Sequence, residues 1–250
     1  MSNYNGVIDE LIKGEWTNPE DQKKYGIPIK KIEIRKTLDG LEKDLIKSLH
    51  SDQRLLIVSD PFTHNAMGSR IFKNIKGKVN VDEYIWENPS SSIEGVEHLR
   101  EKIKDYDGMI AVGSGTVSDS IKYATFLEKK TYSVFATTPM NAYTTGTASI
   151  SFNGVKKSLV AHYAQGVFFD LEVLSNCPKR LTAAAFADVI CRTTAQVDWL
   201  MSNKLLETDY QSTPYSLLAL YEGDMIQNAS SIAEGDINSL ALLTRISAIM

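Results

Sequence analysis

The sequence predicts an α/β fold: a parallel sheet covered by helices, followed by an all-helical region. Three observations carry this reading. Short apolar runs alternate with helical patterns from about Lys31 to Pro139. The run Arg54–Asp60 (RLLIVSD) lacks the in–out alternation of a half-wet strand, as expected of a strand buried on both faces. From Lys179 onward the pattern is helical to the end of the chain.

The elements follow in order. Lys31–Thr37 (KIEIRKT) alternates and reads as the first strand, and a helical pattern covers Leu38 to Leu49. Arg54–Asp60 is the second strand, Thr63 to Ile75 a helix, and Val81–Trp86 the third strand. Ser91, Ser92 and Glu94 open an amphipathic helix running towards Tyr106. Gly108–Val112 (GMIAV) is the fourth strand and runs through GSGTVSD into another helix. Tyr132–Thr137 is the fifth. Asn153-Gly154, between two short alternating runs, is a hairpin signal, and GVFFDL is one last strand. A long helix over AAAFADVICRTTAQVDWLMSNKL follows, then two or three shorter ones. The boundary falls near Pro178, giving an α/β domain over 1–178 and a helical domain over 179–250.

Bulk properties exclude several classes. The 250 residues carry a net charge of −4, with lysines scattered among carboxylates, so no nucleic-acid partner is expected. Cys177 and Cys191 are the only cysteines, too few for a disulfide framework or a zinc knuckle. The N-terminus MSNYNGVIDELIKGEW has no apolar core of signal-peptide length, and no run of roughly 18 apolar residues occurs, so a cytoplasmic protein without a membrane span is expected.

The most informative local feature is Gly113-Ser114-Gly115-Thr116-Val117-Ser118-Asp119, where a buried strand becomes a helix. Glycines there let a backbone approach a pyrophosphate, and the free N–H groups of a helix start hold an anion. The plain alternative is a tight turn capped by Ser114 or Thr116. The turn follows the fourth strand and lacks the third glycine of the common dinucleotide fingerprint, which argues against the ordinary arrangement. Asp60 ends an apolar strand, where a carboxylate can bond a ribose hydroxyl or simply form the turn before Pro61. Thr137, Thr138, Asn141 and Thr145 lie in a hydroxyl-rich stretch after the fifth strand, suited to lining a crevice at the sheet's carboxyl edge or to a polar loop.

Four stretches together resemble the glycerol-1-phosphate dehydrogenases, a branch of the dehydroquinate-synthase and iron-type alcohol dehydrogenase superfamily. They are SDPFTHNAMGSRIF, AVGSGTVSDSIKYAT, MNAYTTGTASI and FFDLEVLSNCPKRLTAAAFADVICRTTAQVDWLMS, within residues 50–205. The resemblance implies a nucleotide-binding sheet domain and a helical domain of the dehydroquinate synthase-like type. It implies that the turn from Gly113 to Asp119 holds the pyrophosphate of NAD or NADP, and that Thr137, Thr138 and Thr145 touch the cofactor. Asp188 matches the first ligand of a divalent metal, zinc foremost, with iron or nickel also expected. Its apolar neighbours suggest a buried carboxylate in need of a partner. Dihydroxyacetone phosphate, a small phosphorylated substrate, would be reduced to glycerol 1-phosphate with Asp188 and Asn141 near the reacting centre. A homo-oligomer is compatible with this reading. A carbon–oxygen lyase of the dehydroquinate-synthase kind and a nucleotide-binding homologue without catalysis remain as alternatives.

The sequence also departs from that pattern. Ser114 stands for a glycine of the loop, which needs a negative φ to be unstrained, and Asn141 stands for an aspartate. The family's two further metal ligands are histidines on later helices, whereas His50, His64, His98 and His162 all precede Asp188. His64 reads as a helix-start polar residue or as one that approaches the cofactor's adenosine, His162 as structural or exposed, and Cys191 as a small buried residue. The chain stops at LLTRISAIM without a cap, which suggests a helical domain truncated at its C-terminus.

Overall fold

A computed structural model describes residues 5–250, with Leu220 as backbone alone. Residues 1–4, the start of the segment read for a targeting signal, lie outside the described residues. The chain opens with α1 (Val7–Lys13) and two short strands, β1 (Trp16–Thr17) and β2 (Lys24–Tyr25), which pair antiparallel. Then come β3 (Lys31–Arg35), α2 (Glu42–Lys47), β4 (Leu55–Ser59) and α3 (Pro61–Thr63). A π-helical turn (His64–Gly68) joins α3 to α4 (Ser69–Ile75), followed by β5 (Val81–Ile85), α5 (Ile93–Ile103), β6 (Gly108–Gly113) and α6 (Gly115–Leu127). Next are β7 (Thr131–Ala136), a 3-10 turn (Asn141–Tyr143), β8 (Thr147–Phe152), β9 (Val155–Val160) and β10 (Gly166–Asp170). Five helices finish the chain: α7 (Leu171–Ser175), α8 (Lys179–Leu206), α9 (Thr213–Gln227), α10 (Ala229–Glu234) and α11 (Ile237–Ile249).

Six strands form one sheet in the order β3-β10-β7-β6-β4-β5, and every pairing is parallel. Both faces are covered, so β4, β6 and β10 are buried at every position and read as unbroken apolar runs. Side chains alternate between faces. Leu55 and Ile57 pack with Met67, Ile71 and Ile75 on one side, and Leu56 and Val58 pack with Val117, Ile121 and Ala124 on the other. The helices after β4 and β6 therefore lie on opposite faces, although these strands are neighbours. Diverging connections open a crevice at the carboxyl edge of a sheet, and ligands of open α/β sheets bind there.

The sequence reading needs three local corrections. The helix expected from Leu38 starts only at Glu42, because Gly40 adopts a left-handed φ of 82° in a turn. The helix expected from Thr63 starts at Pro61, where Asp60 caps it, and is interrupted by the π-turn. The elements α1, β1, β2 and α7 were not foreseen. The β8–β9 hairpin turns on Asn153 and Gly154 with φ of 50° and 81°, as a tight two-residue turn requires.

Helices α8 to α11 enclose a third core around Val189, Leu218, Met225, Ile232 and Leu243. Helix α11 belongs to two cores. Its Leu240, Leu243 and Ile246 face the helices, while Ala241 and Ala248 pack with the sheet residues Ile32, Ile34 and Phe169. Among the described residues, no helix is long and apolar enough to cross a membrane.

Candidate functional site

A cleft of about 760 Å³ opens at the sheet's carboxyl edge. Asp60 and Phe62 come from the β4 end, Glu87 and Pro89 follow β5, and Ser114 and Thr116 form the turn after β6. Thr137 and Thr138 follow β7, and Glu172, Asn176, Cys177 and Leu181 wall the far side from α7 and the start of α8. Five residues singled out in the sequence thus meet in one cavity: Asp60, Ser114, Thr116, Thr137 and Thr138. The wall residues of α7 and the start of α8 were not singled out in the sequence, because nothing local marks them as facing a ligand.

The turn after β6 is built to leave backbone donors open. The first helical bond of α6 runs from Ser118 N to Ser114 O (3.0 Å), so the N–H groups of Gly115, Thr116 and Val117 precede the ladder. Ser114 has φ −91° and ψ −170°, ordinary extended backbone, so serine stands here without strain. Its side chain does not cap the helix, which overturns that simpler reading for Ser114. Gly113 is needed because an added Cβ would lie 2.9 Å from Val117 Cβ, whereas a Cβ on Gly115 would meet open space.

At the end of β4, Asp60 forms the turn before Pro61 as a helix cap. Oδ1 accepts from Phe62 N (2.8 Å) and Thr63 N (3.0 Å), and Asp60 N donates to Thr63 Oγ1 (3.0 Å), a reciprocal cap. Oδ2 makes no hydrogen bond among the described residues, and the residue lines the cleft. On the other side, Gly113 O accepts from Thr137 N (3.3 Å) and from the Tyr143 hydroxyl (3.1 Å). Thr138 Oγ1 lies 2.5 Å from the same hydroxyl.

Residues 33–178 match the family described as iron-containing alcohol dehydrogenase, over more than half of the chain. The chain belongs to the iron-containing alcohol dehydrogenase family. A glycerol-1-phosphate dehydrogenase [NAD(P)+] of Methanobrevibacter smithii is 28% identical over 207 residues, covering 81% of this chain and 58% of that relative. An iron-containing alcohol dehydrogenase of Thermotoga maritima superposes with a TM-score of 0.72 at 16% identity, over 89% of this chain and 66% of that one. A sulfoacetaldehyde reductase of Bifidobacterium kashiwanohense, solved with NAD+, superposes with a TM-score of 0.69 at 16% identity, over 90% of this chain and 65% of that one. The chain thus spans little more than half the length of the curated relative it matches.

Several residues expected at this family's site lie elsewhere. Asp119 does not line the cleft: its carboxylate accepts from Ser149 N (3.2 Å) and pairs with Lys122 Nζ (3.3 Å). Burial pushes its pKa up, against the pull of Lys122. The Val117 side chain is core, while its N–H belongs to the open first turn of α6, and Ser118 Oγ is buried without a partner among the described residues. Thr145 Oγ1 accepts from Lys122 Nζ (3.1 Å) instead of lining the cleft. Asn141 is half-buried in the 3-10 turn, with its carbonyl bonded to Thr144.

Two organising residues of this part escaped the sequence reading. Lys122 is fully buried, and its ammonium donates to Ala142 O (2.6 Å) and Thr147 O (2.8 Å) as well as Thr145, pinning the segment after β7 to α6. Burial lowers its pKa. Tyr143 is the second, fully buried between Thr138 and Gly113. An Asp–Lys pair three residues apart, the only charges on this helix, was the available signal for the first.

The side chains of the described residues do not fit the metal that this family's name implies. Asp188 is half-buried and its carboxylate has no hydrogen-bond partner among the described residues, which corrects the expectation of a buried, partnered group. Ala183, Ala184, Ala187 and Ile190 are exposed because no described element covers that side of α8. Cys191, expected to be buried, is exposed too. Among the described residues no group of three or more His, Cys, Asp or Glu side chains could hold a metal ion. The histidines serve elsewhere: His50 on Ser133, His64 beside Glu83, His98 on Tyr84 and His162 on Thr125.

Proposed function

We propose that the cleft binds NAD or NADP and that the protein is a dehydrogenase interconverting dihydroxyacetone phosphate and glycerol 1-phosphate, or a close polyol and ketone pair. The carrying observation is the open first turn of α6 at the point where neighbouring strands send their helices to opposite faces. Anions bind at such helix starts through free N–H groups and the helix dipole. The pyrophosphate would lie on Gly115 and Thr116, a ribose diol on Asp60 Oδ2, and the nicotinamide half towards Thr137 and Thr138. When bound, the dinucleotide supplies or accepts the hydride. The chain's own residues orient it. Tyr143 and Lys122 fix the segment carrying Asn141 beside the phosphate turn, and the wall from α7 and α8 shields the cleft from water.

The substrate rests on the name of the Methanobrevibacter smithii relative and on the MNAYTTGTASI stretch. No step is assigned to a metal, because the donors described do not assemble one.

Calorimetric titration with NADH tests the binding half. Gly115→Val keeps the fold, since its Cβ meets open space, but places a branched side chain at the helix start and abolishes NADH uptake. Equal binding by the variant and the wild type would remove the turn from the site. A steady-state assay with dihydroxyacetone phosphate, glycerol and simple aldehydes tests the reaction, and turnover of unphosphorylated alcohols alone would refute the phosphorylated substrate.

A further inference from the structure

Phe62 is 86% exposed, the most open large apolar side chain among the described residues that expose one. It does not stand on a random surface, since it lines the cleft. A phenyl ring left in water at the rim of a cavity forgoes burial that a ligand can recover. Its position is also fixed. Pro61 precedes it, and its backbone N–H is held by Asp60 Oδ1 at 2.8 Å. The same carboxylate leaves Oδ2 free in the cleft.

A nucleoside carries a ribose diol and a flat base one glycosidic bond apart. Asp60 and Phe62 offer the complementary pair: a free carboxylate oxygen for the diol and, two residues on, an open ring for the base. Pro89 and Leu181 add apolar surface to the same cavity.

We infer that Phe62 is the platform on which the adenine base of the dinucleotide stacks. This rests on the nucleotide reading above and adds a direction to it. The adenine end lies at the β4 end of the cleft, and the nicotinamide end lies towards Thr137 and Thr138. Base–aromatic stacking tolerates any flat ring but not a merely apolar side chain.

The test titrates the full chain with NADH and with ADP. Wild type binds both. Phe62→Ala and Phe62→Leu each bind ADP about ten- to a hundred-fold more weakly, the range that base stacking gives on truncation. Phe62→Trp binds as wild type does, and its indole fluorescence is quenched by ADP. Folding is not at issue, because the side chain is exposed. ADP affinity unchanged in the alanine variant, restored by leucine or not restored by tryptophan overturns the stacking assignment. If wild type takes up NADH but not ADP, the nucleotide cleft stands and the adenine platform falls. If wild type takes up neither, the nucleotide reading itself falls, and this inference with it.

Discussion

Tyr143 donates its phenolic hydrogen to the carbonyl of Gly113 across 3.1 Å. The segment after β7 is thereby fastened to the last residue of β6, the strand that feeds the phosphate turn. Thr138 sits on the same hydroxyl, so one oxygen joins three parts of the sheet's carboxyl edge. Burial pushes the Tyr143 pKa upward, which keeps this donor protonated at any working pH.

Replacing that donor is the first prediction. Tyr143→Phe keeps the ring in its packed position but leaves Thr138 Oγ1 without its partner. Stability falls by about 1–3 kcal/mol, the usual cost of orphaning a buried polar group. NADH binding weakens with it. Denaturant unfolding read beside an NADH titration checks both. An unchanged midpoint and unchanged affinity would show that the hydroxyl ties nothing.

Lys122 gives a second, larger effect. Lys122→Met strands the Asp119 carboxylate and three loop oxygens, and breaking a buried ion pair from one side costs about 3–5 kcal/mol. Adding Asp119→Asn recovers part of the loss, because the unpaired charge is then gone. The double-mutant cycle measures the coupling, and strict additivity would contradict a direct pair.

The pH dependence follows from two histidines. Burial lowers the pKa of His50 and of His162 below the ordinary 6.5. Below pH 6.5 the unfolded chain takes up protons that the folded chain refuses, so stability is full above that pH. It declines on acidification until the folded pKa is reached. The slope is at most about 1.4 kcal/mol per pH unit for each group. Unfolding midpoints between pH 7 and pH 5 test this, with His50→Gln and His162→Gln each flattening the curve. A wild-type midpoint that rises on acidification across that range would contradict the sign.

Metal content is a fourth check. The 250-residue chain, dialysed against a chelator, should retain zinc, iron or nickel far below one ion per chain, since among the described residues no group of three donors assembles around Asp188 or elsewhere. Elemental analysis decides. Tight stoichiometric metal would mean that side chains move together from the positions described.

The sheet was legible because burial on both faces writes itself into sequence as uninterrupted apolar runs, as in Leu55–Ser59 and Gly108–Gly113. The cleft residues Asp60, Ser114, Thr116, Thr137 and Thr138 were legible for a related reason: each stands just beyond such a run, or in the first helical turn after it. The two-residue strands β1 and β2 carry no period to read. Asp119 and Thr145 looked like ligand groups by position, yet a buried lysine nearby claims both. Phe62 reads as an ordinary apolar residue until its exposure is known. Asp188 was expected to be buried from its neighbours' character, but burial depends on what packs against α8, and that is tertiary information.

Helix α11 inserts Ala241 and Ala248 among sheet residues while its other side completes the helical core. Mechanically it is a rivet through the junction that the sequence marks at Pro178. Heat or denaturant cannot loosen the helical region without stripping this strip from the sheet, so the two melt in one transition. Severing the chain at Pro178 would then yield, not a tidy nucleotide-binding fragment, but a sheet with a raw apolar seam, prone to clump.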